Sequence, residues 1–185
     1  EQALREQMNR AEILHRLGTV LAAELDMGAI VQAVTAAAVQ LTGARFGAFF
    51  YNRRDENGES YMLHALAGEG TEKFAGLPMP RNTEIFGPTF AGEGVVRSDD
   101  ITRDPRFGHN PPFNGLPPGH PPVRSHLAVP VFSRDGTVLG GLFLGHDEAG
   151  VFGDTAQATV TALATQAAVA MDNAGLSTTS SVVDV

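Results

Sequence analysis

Charged residues cluster between positions 97 and 106. Asp99, Asp100 and Asp104 alternate there with three arginines. Clustered carboxylates can hold a hard metal ion or act as a general acid and base. The same pattern is typical of a turn after a strand, where aspartates bond to the backbone and arginines neutralise them at the surface. We favour the turn, and therefore predict no catalytic group and no metal ligand here.

The six histidines suggest a second chemistry, a haem or metal site. His109, His120, His126 and His146 are scattered over predicted loops and strand ends without a repeated ligand spacing. His126 is the strongest candidate, because it opens a predicted core strand. Its alternative interpretation is a hydrogen-bonded histidine at a strand entrance.

Several function classes are disfavoured by composition. The chain has no cysteine, which excludes disulfides, thiolate metal ligands, a thiol nucleophile and thioether attachment of a chromophore. A formal net charge of −8 offers no general attraction for nucleic acid or anionic lipid. No apolar run approaches the roughly 20 residues that span a bilayer. Since known phosphate-loop, metalloprotease and hydrolase motifs are also missing, we expect a non-catalytic, cytoplasmic protein without nucleic-acid or membrane partners.

Two helical patterns open the chain. Apolar residues recur every three or four positions from Leu4 to Leu25, and either seek a partner helix or pack on their own domain. A second helix is predicted to begin after Asp26, as its N-cap, and to end at Gly43. A last helix, rich in alanine, is predicted after Asp154.

Strand patterns occupy most of the middle of the chain. They fall at residues 46–51, 60–67, 94–98, 126–132 and 137–145. The order of elements predicts an α+β fold with a central antiparallel sheet of five or six strands, the helices together on one face and loops on the other.

Irregular segments must cover the second face of this sheet. Six of the eleven prolines lie within residues 111–122, where they favour an ordered lid because proline lowers the entropy of the free loop. The segment 68–90 is predicted to contain a short helix that begins at Asn82 or Thr83 and stops near Gly87. A sheet face roofed by loops is a natural place for a small-molecule pocket.

The sequence resembles the GAF family over roughly residues 16–174. Residues 125–174, from SHLAVPVF to AMDNA, resemble the C-terminal half of a GAF domain, and GVVRSDDITRDPRF at 94–107 is similar to its middle strand and Asp-rich turn. With the proline-rich loop, residues 78–108 are similar to GAF modules that precede histidine kinase, phosphatase or cyclic-nucleotide output domains in bacterial signalling proteins.

This resemblance implies regulation of another domain and no turnover. We expect a sensor that binds an unidentified small molecule and signals through its flanking helices to an output domain; a ligand-free dimerisation and transmission module is the alternative. A haem or bilin sensor ranks lower, since Asp100-Ile101-Thr102 only faintly echoes the Asp-Ile-Pro of phytochromes, and the cofactor stays unknown. Free methionine sulfoxide reductases share the family but use cysteine, and the signature of the cGMP-binding branch is missing.

The expected organisation has three parts. Residues 1–25 form a signalling and dimerisation helix, residues 26–174 the GAF core, and residues 175–185 a tail or the start of a linker. Because the chain opens inside a helical pattern at Glu1, we expect it to be part of a longer protein. The terminal helices are predicted to form a parallel homodimer.

Ten residues are candidates for ligand binding, chosen as aromatic walls or as polar groups at the pocket edge. They are Phe49, Tyr51, Arg81, Asn82, Phe86, Asp100, Phe113, Leu116, Arg124 and His126. Phe113 or Leu116 is expected to point inward, and an arginine to bind an anionic or carbonyl group on an apolar ligand. Alternatively, the arginines pin the proline-rich loop to Asp99 or Asp100, which implies no ligand.

Overall fold

The computed structural model describes residues 1–24, 26–55, 58–77 and 83–183. Its helices are α1 (Gln2–Ala23), α2 (Met27–Thr42), α3 (Gly87–Phe90) and α4 (Asp154–Val183). Its strands are β1 (Phe46–Asp55), β2 (Gly58–Gly68), β3 (Val96–Ser98), β4 (Ser125–Phe132) and β5 (Val138–His146). No helix in these ranges is both long and apolar enough to cross a membrane.

The five strands form one antiparallel sheet in the order β2-β1-β5-β4-β3. This confirms the predicted α+β architecture with five or six strands. β4 and β5 form a hairpin through the turn at Asp135-Gly136, and β5 lies in the centre of the sheet against β1. Residues of β1, β4 and β5 therefore reach both faces of the sheet with a period of two.

One face, here called the helix face, packs against the three long helices. It carries Phe49, Leu127, Leu142 and Leu144, each no more than 1% exposed, and they join buried residues of α2 and α4 in one hydrophobic core. Burying a side chain of this size contributes about 2 kcal/mol. The alanine-rich buried side of α4 lets the helix lie close to the sheet.

The N-terminal helix packs on α4 through only part of its length. Leu14, Leu17 and Leu21 join the core, and Nε2 of Gln166 on α4 donates a hydrogen bond of 3.3 Å to the carbonyl of Leu14. The preceding turns carry Leu4, which is 59% exposed, and Met8, which is 63% exposed. The apolar stripe therefore extends beyond the surface that this domain covers; Leu25, its predicted end, lies outside the described residues.

The opposite face, here called the loop face, is covered by α3 and by two 3-10 turns, Thr71–Phe74 and Ile101–Arg103, together with residues 104–124. The predicted short helix is displaced along the chain. Gly87 and Pro88 begin α3, whereas the sequence pattern predicts that a helix ends there. Proline is favoured in the first turn, because its missing N–H would have no partner there.

Candidate functional site beneath the loops

Aromatic rings fill the space between the loop face and the segments that cover it. Phe143 of β5 lies at the centre, with ring centroids 5.0 Å from Phe86, 5.3 Å from Phe90 and 5.5 Å from Phe50. We call the group to which these rings belong the loop-face cluster. Its buried members are Phe46, Ala48, Phe50, Ile85, Phe90, Val96, Ile101, Val123, Ala128 and Phe143.

Two glycines of β5 allow the chain to pack this closely. A Cβ at Gly141 would lie 2.8 Å from the Phe143 ring and 2.9 Å from Cγ2 of Thr89. A Cβ at Gly140 would lie 2.2 Å from the carbonyl oxygen of Phe50 on β1. All three distances are below van der Waals contact, so the Gly-Gly pair allows β1 and α3 to approach the central strand.

His126 is buried against this cluster. It lies on β4 between Ser98 of β3 and Gly145 of β5, and its ring centroid is 6.0 Å from Phe143 and 6.2 Å from Phe86. It is 8% exposed, and its Nε2 has no hydrogen-bond partner among the described residues.

Burial is also the main cause of a lowered pKa at His126. Removal from water, first, and the positive charge of Arg106, second, lower its pKa to about 4, while Asp104 opposes the shift. The imidazole is therefore neutral at pH 7.

Thr89 provides a second unpaired polar atom. It lies on α3, in the layer above the sheet, and is fully buried. Its hydroxyl has no partner within the part of the chain that the structure describes, and its methyl group is the one that faces Gly141. A buried polar group without a hydrogen bond costs about 1–3 kcal/mol. Thr89 and His126 thus each carry an unpaired buried polar atom, and both residues lie close to Phe143 on different elements.

Two ion pairs border the cluster. Arg106 donates to both carboxylate oxygens of Asp104 at 2.9 and 2.8 Å, which holds the pKa of that carboxyl well below its usual range. Arg124 donates to Oδ2 of Asp100 at 2.6 Å, and this bond, followed by those from Thr102, lowers the pKa of that carboxyl to about 2. Arg124 thus pins the end of the proline-rich loop to the 3-10 turn that Asp100 caps.

Only part of the expected pocket comes together here. Phe86, Leu116 and His126 all lie at the loop-face cluster. Arg124 and Asp100 lie beside it but bind one another, as the alternative without a ligand requires.

Three expected pocket residues lie elsewhere. Phe49 and Tyr51 belong to the helix face, because alternate residues of β1 point to opposite sides and Phe46 and Phe50 take the loop side. Phe113 is 42% exposed, and Leu116 is the loop residue that turns inward. Arg81 and Asn82 lie outside the described residues.

Sequence reasoning missed the two residues that most define this site, Thr89 and Phe143. The parity of β5 was readable, since Gly141, Phe143 and Gly145 alternate with Leu142 and Leu144. Small and aromatic residues alternating with leucines indicate which side is packed closely. Thr89 had no such signal, because a single threonine in a short helix is usually a surface residue.

The structure gives less support to a metal site, to a role for His120 or to a ligand site elsewhere on the domain. The described residues contain no group of three His, Cys, Asp or Glu side chains able to hold a metal ion. His120 packs against Phe46 and Phe74 at the same face, and burial lowers its pKa. Open grooves of about 560 and 410 Å³ follow α4, the second between α4 and β4, and both lie away from the loop face.

Solved structures of known proteins share this fold. The free methionine-R-sulfoxide reductase from Neisseria meningitidis, solved with its substrate, superposes with a TM-score of 0.72 at 20% identity over 91% of each chain. The GAF domain of an Acinetobacter phosphoenolpyruvate-protein phosphotransferase gives 0.70 at 19% identity over 90% of this chain and 94% of that one. A segment of a methyl-accepting chemotaxis protein gives 0.68 at 17% identity over 86% and 97%.

These likenesses correct one expectation. The sequence analysis predicts that the chain is not an enzyme, partly because the family resemblance implies regulation without turnover. Free methionine-R-sulfoxide reductases with the same fold are enzymes, so that inference is wrong. The missing cysteine excludes thiol chemistry in this chain, and it does not extend to other catalysis.

The family itself follows from a match along most of the sequence. A family model described as the GAF domain matches residues 24–172. The matched region contains α2, all five strands and most of α4, and the structure arranges them as one sheet between a helical layer and a layer of loops. The chain therefore belongs to the GAF domain family.

Proposed function

We propose that this domain senses a small molecule between the loop face and the segments above it. The observation that carries the proposal is the pair of unpaired buried polar atoms, Thr89 Oγ1 and His126 Nε2, within an aromatic cluster. A ligand that bonds to both would remove a cost that the ligand-free fold bears. Membership of the GAF family, and likeness to a chemotaxis protein, support a regulatory or sensory role.

The signal would leave the domain through its terminal helices. The central strands carry loop-face residues such as Phe143 and helix-face residues such as Leu142 and Leu144, so a shift of β5 reaches both layers. The helices α1 and α4 pack on one another, and the exposed Leu4 and Met8 give α1 an apolar surface for a second copy. A parallel homodimer whose helix packing changes with the ligand would pass the signal to an output domain, such as a histidine kinase, elsewhere in the polypeptide.

Native mass spectrometry and an absorption spectrum of the freshly purified protein test ligand binding. We expect a noncovalent adduct of small mass that disappears on denaturation. An absorption band in the visible range would instead identify the haem or bilin alternative, and the unpaired Nε2 of His126 could then hold the iron of a haem. Sedimentation tests the dimer, and a monomer at high micromolar concentration would contradict it.

A ligand-free dimerisation and transmission module is the second candidate. It is favoured by the close packing of the rings around Phe143 and by the pairing of Arg124 with Asp100. Native mass spectrometry distinguishes the two functions. A sensor is expected to carry a bound small molecule, whereas a ligand-free module is expected to show only the mass of the polypeptide while still forming a dimer.

A further inference from the structure

The ligand class can be argued from the chemistry around the two unpaired atoms. Thr89 lies in the covering layer with its methyl group beside Gly141 and close to Phe143, and His126 lies on the sheet with its ring centroid 6.0 Å from that of Phe143. The Thr89 hydroxyl and His126 Nε2 are both buried without a partner among the described residues. A hydroxyl can donate or accept, and a neutral imidazole nitrogen does one or the other according to its tautomer. A ligand that bonds to both atoms must therefore carry two polar groups, one toward Thr89 and one toward His126.

The walls of the site favour a flat guest. Phe50, Phe90 and Phe143 are buried, and Phe86 is only partly buried. Its centroid lies 5.0 Å from Phe143 and 6.2 Å from His126. Phe86 is therefore the ring that a guest of similar shape can displace while keeping an aromatic contact with Phe143.

The charges near the site favour an uncharged guest. Arg106 and Asp104 face His126 from the loop after β3, and each satisfies the other through two hydrogen bonds of 2.9 and 2.8 Å. Arg124 and Asp100 are also paired at the edge, through two hydrogen bonds of 3.2 and 2.6 Å to Oδ2 of Asp100. An ionic guest would lose its water without gaining a free counter-charge among the described residues.

We propose that the loop face binds an uncharged, planar molecule that hydrogen-bonds to Thr89 Oγ1 and to His126 Nε2 and packs its ring on Phe143. This inference rests on the proposed function, because it names the ligand class of the same site.

Four small compounds of similar shape test the charge and polarity that the site requires. Benzamide is neutral and has a donor and an acceptor; benzoate is anionic, benzamidinium is cationic, and toluene is apolar. We expect benzamide to bind with a Kd of about 10 mM, as befits a ligand of its size, and to shift the ¹⁵N resonance of His126 Nε2. The two ions and toluene are expected to bind at least about tenfold more weakly.

Two variants test the recognition groups separately. Thr89→Val and His126→Leu each remove one unpaired atom at nearly constant volume, and each is expected to weaken benzamide about tenfold. Thr35→Val is the matched control, because Thr35 is equally buried but lies on α2, on the other side of the sheet. Its hydroxyl donates a hydrogen bond to the Val31 carbonyl. The control should bind benzamide as the wild type does.

Specific outcomes overturn the proposal. Benzoate or toluene binding as well as benzamide would contradict the ligand class, and so would an unshifted His126 resonance at saturating benzamide. A natural adduct that the Thr89→Val, His126→Leu double variant still retains in native mass spectrometry would refute the recognition pair while the sensory function stands. A bare chain mass together with normal benzamide selectivity would instead reject a bound natural ligand and keep the ligand class.

Discussion

At the scale of single residues, the fold holds the imidazole of His126 neutral. The side chain is buried between β3, β5 and α3, and its pKa is lowered to about 4 by burial first and by Arg106 second. The unfolded chain has no such burial, so its histidine titrates near 6.5. Protonation therefore favours the unfolded state and makes stability depend on pH.

The pH dependence is predicted to fall in a defined window. Between about pH 6.5 and pH 4 the unfolded state binds a proton that the folded state refuses, so stability falls as the pH falls through this range. The loss by pH 4.5 is about 2–3 kcal/mol. Urea unfolding at pH 7.5 and pH 4.5 measures it. In His126→Leu the loss should be smaller by this amount, and equal losses in both proteins would contradict the assignment.

Arg124 is predicted to stabilise the loop through Asp100. Arg124→Ala should lower the Tm at pH 7, because Oδ2 of Asp100 loses its 2.6 Å hydrogen bond. The pKa of Asp100 is lowered to about 2, so the contribution is complete above the unfolded value near 4 and is lost as the pH falls through 2. Arg103→Ala is the control, since Arg103 lies 3.9 Å from the same oxygen and is 85% exposed. Identical Tm values for the two variants would reject this anchor.

At the scale of elements, the site depends on which side of each strand faces the loops. Helix limits were readable from sequence: Asp26 caps α2 through Gly28 and Ala29, and Gly43 ends it with a φ of 72°, as glycine readily allows. The side of β1 was not readable, because its residues from Phe46 to Tyr51 are apolar on both faces. A strand buried on both sides has no polar alternation to reveal its orientation.

The Gly-Gly pair of β5 should be intolerant of substitution. Gly140→Ala places a Cβ 2.2 Å from the backbone oxygen of Phe50, so β1 and β5 must separate. We expect a loss of about 3 kcal/mol or more in denaturant unfolding. Gly153→Ala serves as the control, because a Cβ there meets nothing within 4 Å. Equal stability of the two variants would show that the central pairing accommodates a side chain.

At the scale of the whole molecule, one sheet separates a layer of loops from a layer of helices. This arrangement followed from the order of helical and strand patterns, and the family followed from residues 125–174 and 94–107. The proposed ligand chemistry did not follow, because it depends on Thr89 and His126, 37 positions apart in sequence, both lying near Phe143 in different layers. The sequence does not indicate whether a polar side chain that packs among aromatic rings has a hydrogen-bond partner.

Hydrogen exchange tests the central claim, that a molecule on the loop face changes the packing of the terminal helices. Exchange by mass spectrometry would be compared between the protein as purified and the same protein after unfolding in guanidinium, removal of small molecules and refolding. We predict faster exchange in the stripped protein both in residues 83–92, which include α3, and along the contact of α1 with α4. Faster exchange confined to residues 83–92, or no change anywhere, would contradict the account.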